Sequence, residues 1–249
     1  MFVILAWRDV AVRYKQTVIG IAWAVVRPFL TMVVFTIVFS RLAKLPSDGT
    51  TPYPILVFCG MLPWFLFAGI LGEASGSLVN NAGLVGKVYF PRIIIPASAA
   101  AVALVDFGIN LVLLFGLMLW FGFWPNWKIV MLPAFVLLAV LASLGPALFI
   151  TALNVKYRDF RYIIPFIIQF GLYLSPVGFS SAVVPERWRL LYSLNPVVGI
   201  IDGFRWCLLD GESPLYIPGF LSSLGVVAVL LWFGVRYFRS TERSFADLL

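Results

Sequence analysis

Six runs of about twenty or more residues pass almost without charge, near 20–40, 54–78, 96–121, 129–152, 162–181 and 216–235. A bilayer core of about 30 Å is crossed by about 20 residues of helix, so each run is long enough to span a membrane. Inside lipid the backbone must satisfy its own hydrogen bonds, which leaves helices or closed barrels. Barrel strands alternate over about ten residues, whereas these runs are continuous, so helices are expected. Composition agrees: 62% of the 249 residues are hydrophobic and 12% charged, about half the charged share of a soluble domain. The expectation is an all-α integral membrane protein, one transmembrane domain over 1–249 with six transmembrane helices. Histidine is absent, which excludes Ser-His-Asp hydrolysis and His-ligated metal. Cys59 and Cys207 lie far apart in no metal-ligand spacing and make neither a disulfide framework nor a redox motif.

Charge sets the orientation. With the amino terminus placed in the cytoplasm, segments 1–19, 79–95, 153–161 and 236–249 hold eleven of the eighteen Lys and Arg residues, and the opposite loops hold six. This asymmetry puts both termini inside. The formal net charge of +7 falls on the cytoplasmic side, so no nucleic-acid partner is needed to explain it.

Two segments are neither spans nor ordinary loops. Over 2–14, apolar Phe2, Leu5, Ala6 and Val10 oppose Arg8, Asp9 and Arg13, which reads as an amphipathic helix lying in the inner interface. Arg8, Arg13 and Lys15 interrupt any early apolar core, so a cleavable signal peptide is not expected. The long external region 182–215 contains an uncharged stretch too short to cross, broken at Asn195-Pro196 and Gly199. Two short external re-entrant helices between spans five and six are expected.

Energy coupling is not visible in this chain. The Gly86-Lys87 pair is followed by Val88 and has Asn81 where a phosphate loop needs glycine, so it is no Walker A motif. Three charges fall within spans: Arg27, Glu73 and Asp106. Each costs on the order of 2.5–3.5 kcal/mol at a bilayer centre, so they should meet one another or water. Counted from the cytoplasmic ends, all three share the inner half. An Arg27–carboxylate pair that fixes the packing of the first three spans is one expectation, and a role on a substrate path the other.

Aromatic residues sort by position. Trp120, Phe121, Phe123, Trp124 and Trp127 form an interfacial belt. Phe166, Phe170 and Tyr173 follow i, i+4, i+7 and make a single stripe on span five. Lipid contact or helix packing explains such a stripe, and so does a surface over which a sugar chain slides by C–H contacts. On the cytoplasmic side, Asn154-Val155-Lys156-Tyr157-Arg158-Asp159-Phe160-Arg161 packs three cations and two aromatics into a short turn suited to docking in a partner. The loop with Lys87, Tyr89, Phe90, Pro91 and Arg92 offers a second basic and aromatic surface.

The segments RYKQTVIGIAWAVVRP (13–28), LVGKVYFPRIIIP (84–96) and NVKYRDFRYIIP (154–165) stand in that order among the six spans. Val184-Pro185-Glu186, Leu194-Asn195-Pro196 and Phe204-Arg205 follow them. In these segments the chain resembles the membrane subunit of ATP-binding-cassette exporters for cell-surface polysaccharides, the family of O-antigen, capsule and teichoic-acid exporters. The resemblance implies a homodimer around a continuous channel with two ATPase subunits below. ATP and magnesium would be bound on that partner and no cofactor on this chain. It implies a coupling helix around Lys156, Tyr157, Arg158 and Asp159. It also implies an entrance for the lipid-linked substrate's pyrophosphate near Arg13, Lys15, Lys87, Tyr89 and Arg92. Phe166, Phe170 and Tyr173 would line the channel, and Pro185, Asn195, Pro196 and Arg205 would form the external gate. The location implied is the bacterial cytoplasmic membrane. Only seven residues precede Arg8, fewer than in relatives, so the entrance helix is expected to be incomplete.

Two other functions fit the pattern less well. A permease for drugs or small lipids shares six spans and an ATPase partner. A membrane-embedded glycan-transfer enzyme needs convergent acids and usually a metal, and Glu73 and Asp106 belong to no such cluster in the sequence.

Overall fold

The computed structural model describes residues 1–15, 20–47, 49–87, 90–125, 127–157, 159–209 and 215–245. Ten α-helices cover them in order: α1 (Phe2–Lys15), α2 (Gly20–Phe35), α3 (Tyr53–Asn80), the single turn α4 (Ala82–Val85) and α5 (Ile94–Trp120). Then come α6 (Leu132–Lys156), α7 (Phe160–Leu174), α8 (Glu186–Tyr192), α9 (Pro196–Leu208) and α10 (Ile217–Thr241). The described residues contain no strand.

Among the described residues, five helical stretches are long and apolar enough to cross a membrane: Ala22–Leu42, Tyr53–Asn80, Ile94–Trp120, Trp127–Lys156 and Ile217–Ser244. The first continues α2 through a π-helical segment, Thr36–Leu42. Prolines open α3, α6 and α10, in the first turn where a missing N–H does no harm, while Pro28, Pro63, Pro146 and Pro165 stand inside α2, α3, α6 and α7. The fifth expected span is shorter than 162–181. α7 has 15 residues, about 22 Å at 1.5 Å per residue, and it stops at Ser175. Pro176 follows and drives Ser175 into an extended conformation, φ −101° and ψ 152°.

α3 is the hub. Its buried residues run along its whole length and all round it, because α5, α6, α7, α9 and α2 surround it. α10 packs on α6 and α9. α6 and α10 cross where Gly145 meets Gly234: a methyl on Gly145 would fall 2.7 Å from the Leu230 carbonyl. Such backbone-to-backbone approach is how membrane helices gain contact without a hydrophobic driving force. At one end of the bundle Leu78, Ile95, Leu148, Phe238 and Phe245 close a second core that also takes Leu5 of α1.

Between α7 and α10 the expected pair of short helices is present as α8 and α9, preceded by a 3-10 turn, Ser181–Val183. α9 is no loose flap, since Val197, Ile200, Ile201, Phe204 and Leu208 are buried in the main core.

Candidate functional site

α1 organises the end of the bundle where Leu5 and Phe245 share a core. It runs beside α5, from Leu5 in that core to Tyr14, whose hydroxyl donates to Asp106 Oδ1. Asp106 stands twelve residues into α5, so α1 climbs along the bundle instead of lying flat under it. Arg13 on the same turn bridges two helices. Its Nη1 is 2.5 Å from Glu73 Oε1 of α3 and its Nη2 2.9 Å from Asp106 Oδ2. Lower down, Arg8 Nη2 donates to Asn81 Oδ1 at 2.8 Å. Burial, and then the Asp106 carboxylate, hold the Tyr14 hydroxyl above its ordinary range, so it stays a donor.

The two carboxylates therefore meet a cation as expected, but the cation is Arg13 and not Arg27. The reason is the face of α2. Pro28, Met32 and Phe35 follow i, i+4, i+7 and are buried, which turns Arg27 outward, where it is exposed. The side chains of Arg13, Glu73 and Asp106 keep 43%, 47% and 25% of their exposure. At that exposure the clasp stabilises modestly and can open.

The expected entrance residues separate. Arg13 is matched by two carboxylates. The Arg92 amide donates to Glu242 Oε1 at 2.7 Å, and its guanidinium donates to the Glu242 carbonyl, so Arg92 ties the start of α5 to the end of α10. Lys15 and Lys87 are exposed, and neither forms an ion pair among the described residues. Tyr89 lies outside the described residues.

The turn between α6 and α7 is anchored from above. Thr151 Oγ1 donates to the Ala74 carbonyl at 2.9 Å and Asn154 Nδ2 to the Ser75 carbonyl at 3.0 Å, locking the foot of α6 to α3. Lys156 ends α6 with its Nζ 5.3 Å from the centre of the Tyr157 ring. Tyr157 is extended and half exposed, and Asp159 stands at the N-cap of α7. Arg158 lies outside the described residues.

On α7 the aromatic stripe faces away from the bundle. The rings of Phe166 and Phe170 are 4.1 Å apart, and Tyr173 leans toward Phe35 of α2 at 6.4 Å. All three are more than half exposed. Ile164 and Gly171 on another face hold α7 to α3; a methyl at Gly171 would strike the Trp64 ring.

At the other end the turn 175–180 is pinned from several sides. Arg205 of α9 is 1% exposed. Its Nη1 donates to the Phe179 carbonyl at 2.8 Å and its Nη2 to the carbonyls of Val177 at 3.0 Å and Leu56 at 3.4 Å. Gly60 makes room for it, since a methyl there would sit 2.8 Å from Nη2. Tyr53 donates to the Gly178 carbonyl at 2.7 Å, and Asn195 Nδ2 to Ser175 Oγ at 3.0 Å. Asn195 also caps α9 through the Val197 amide, with Pro196 in the first turn, and Pro185 precedes α8 as its N-cap. Thus the expected gate residues gather at one end of the bundle. The Tyr53, Gly60 and Ser175 contributions carry no sequence signal, and neither does the Glu242 partner of Arg92.

The sequence is similar to those of known membrane transport proteins. The chain is 27% identical over 249 residues to the O-antigen export system permease protein RfbA of Myxococcus xanthus, covering 99% of this chain and 94% of that one. It is 24% identical over 259 residues to an RfbA of Klebsiella pneumoniae, covering 100% and 95%. Against the polysialic acid transport protein KpsM of Escherichia coli the identity is 20% over 247 residues, covering 95% and 92%. The model of the ABC-2 type transporter family matches residues 1–209, and the chain belongs to that family.

Proposed function

We propose that this chain is the membrane subunit of an ATP-driven exporter that moves a polyprenyl-diphosphate-linked cell-surface polysaccharide, of the O-antigen class, across the bacterial cytoplasmic membrane. It works as a homodimer with two separate ATPase subunits, which bind ATP and magnesium. Both termini are cytoplasmic. α7 and the turn that follows it supply the sixth crossing, and α8 and α9 are external re-entrant helices.

The observation that carries this reading is the open flank formed by α2 and α7. Phe166, Phe170 and Tyr173 project from it beside the exposed Gln169, giving apolar faces with intermittent polar groups. A second copy facing this flank would enclose a channel lined by rings, over which a hydrated glycan can slide without fixed hydrogen bonds. The turn with Lys156, Tyr157, Arg158 and Asp159 receives the stroke of the ATPase. Exposed Lys15 and Lys87, with Tyr89, meet the anionic pyrophosphate at the inner face. Arg13 and Arg92 shape that entrance through Glu73, Asp106 and Glu242. Pro185, Asn195, Pro196 and Arg205 frame the exit.

The test is reconstitution with the companion ATPase in vesicles carrying a lipid-linked glycan. ATP-dependent appearance of glycan on the far side is expected, and reversing the charges of Arg158 and Asp159 together should abolish it while the complex still forms. Glycan movement without the ATPase, or undiminished movement in the charge-reversed protein, sinks the proposal.

A further inference from the structure

Between α6, α7 and α10 lies a cavity of about 280 Å³ with no polar side chain in its lining. Gly145, Pro146 and Phe149 of α6 form its floor, and Ile163 and Ile167 of α7 face Phe233 of α10 across it. It is on a different face of α7 from the aromatic stripe. The floor cannot be filled from below, because a side chain on Gly145 would run into the α10 backbone. The rim is open outward: Ile163, Ile167 and Phe233 keep 41%, 42% and 46% of their exposure. Water in such a slot would find no hydrogen-bond partners, and an empty slot forfeits dispersion contacts along every wall. Within a bilayer the molecule of matching chemistry is a hydrocarbon chain. The slot, about 280 Å³ and open on one side, has room for a segment of one alkyl chain.

Charge selects which lipid. The cavity reaches Phe160, the first residue of α7, where the α6–α7 turn carries Lys156 and Arg161. Lys156 follows Phe149 by seven residues, two helical turns along the same face, and Arg161 adjoins Phe160. Neither cation forms an ion pair among the described residues, and the acid between them, Asp159, does not engage either. A chain lying in the slot would bring its headgroup to these two cations. Basic pockets between helices on the cytoplasmic side recognise anionic headgroups in this way.

We propose that the α6–α7–α10 slot binds one acyl chain of an anionic phospholipid of the inner leaflet, with the headgroup phosphate against Lys156 and Arg161. The site rests on the inner placement of this turn and not on the identity of the exported substrate. It makes the coupling turn sensitive to the charge of the surrounding membrane.

The full chain in phosphatidylcholine vesicles is exposed to phosphatidylglycerol or phosphatidylcholine carrying a photoreactive group in one acyl chain, and the labelled peptides are mapped. Labelling of peptides containing Ile163 and Phe233 is expected to favour phosphatidylglycerol roughly five- to thirty-fold at low salt, the range that one or two basic residues supply. Lys156→Gln with Arg161→Gln should bring the two probes level. Ile163→Trp, which fills the slot, should suppress both. Unlabelled phosphatidylglycerol should compete on the wild-type chain, which keeps the test intact if the tryptophan variant fails to fold. Equal labelling of the wild type by both probes, label mapping elsewhere, or no competition overturns the proposal. So does equal displacement by a polyprenyl diphosphate, or a cross-link between two copies through these residues, since either gives the slot another occupant.

Discussion

α3 and α7 are built from the same kinds of residue and behave as opposites. In α3, 78% of the most apolar window is buried within the chain, and Gly60 and Gly69 allow close contacts with Arg205 and Ala103. In α7 only Ile164 is buried, and Phe166, Phe170 and Tyr173 are each more than half exposed. α2 beside it is similar, with 17% of its window buried. Hydrophobicity alone does not separate these helices, because lipid is as apolar as leucine. What separates them is side-chain size along the faces that touch. α3 is thus surrounded within the chain, whereas α2 and α7 turn most of their apolar surface outward.

This contrast can be broken by substitution. The largest loss of stability is expected from Arg205→Ala, which removes donors from three carbonyls around a side chain only 1% exposed. About 3 kcal/mol or more should disappear, read as a lower thermal midpoint in detergent, and a midpoint within a degree of wild type would refute the pinning role. Gly145→Leu should follow at about 1–3 kcal/mol, because α6 must separate from α10. Arg13→Ala removes a half-exposed clasp and should change global stability by about 1 kcal/mol or less. Its distinctive effect is local: trypsin should cut after Arg8 and Lys15 faster, and Arg13→Glu combined with Glu73→Arg should slow cleavage again. Unchanged cleavage in the single variant would show that α1 is held by other contacts. The smallest effect on the fold, below about 0.5 kcal/mol, is expected for Phe166→Ala with Phe170→Ala, although glycan transport should fall sharply. A melting loss as large as that of Gly145→Leu would move the stripe from the flank into the core.

Much of the hub was legible in the sequence, because a long apolar run bounded by charge or by proline has few alternatives. The ends of α3 and α5 fall within two residues of expectation. The short α7 was missed, although Ser175-Pro176 is a local stop signal that the surrounding hydrophobicity masked. The pairing of Glu73 and Asp106 was read correctly as a need for a cation and wrongly as Arg27. Depth counted along separate helices says nothing about which helices are neighbours or which way a face turns, and Pro28, Met32 and Phe35 decided the latter. Arg205 enters the sequence reading only through the Phe204-Arg205 resemblance, and its acceptors are 26, 28 and 149 residues away. Backbone carbonyls brought from that distance leave no trace in residue type.

The glycine crossing of α6 and α10 has a mechanical consequence. Two rods whose backbones touch at one point cannot slide without losing that contact, but they can tilt about it. α6 ends below in the Lys156–Asp159 turn. α10 is tied above to the turn before α9, through Ser223 Oγ donating 2.7 Å to the Ser193 carbonyl. A sideways load on the α6–α7 turn is therefore expected to emerge at the opposite end as a swing of α9. Spin labels on the foot of α6 and the tip of α9 should change separation together, and Gly234→Leu should uncouple them. A fulcrum made of two hydrogen atoms would then do what longer side chains, with their freedom to rearrange, could only blur.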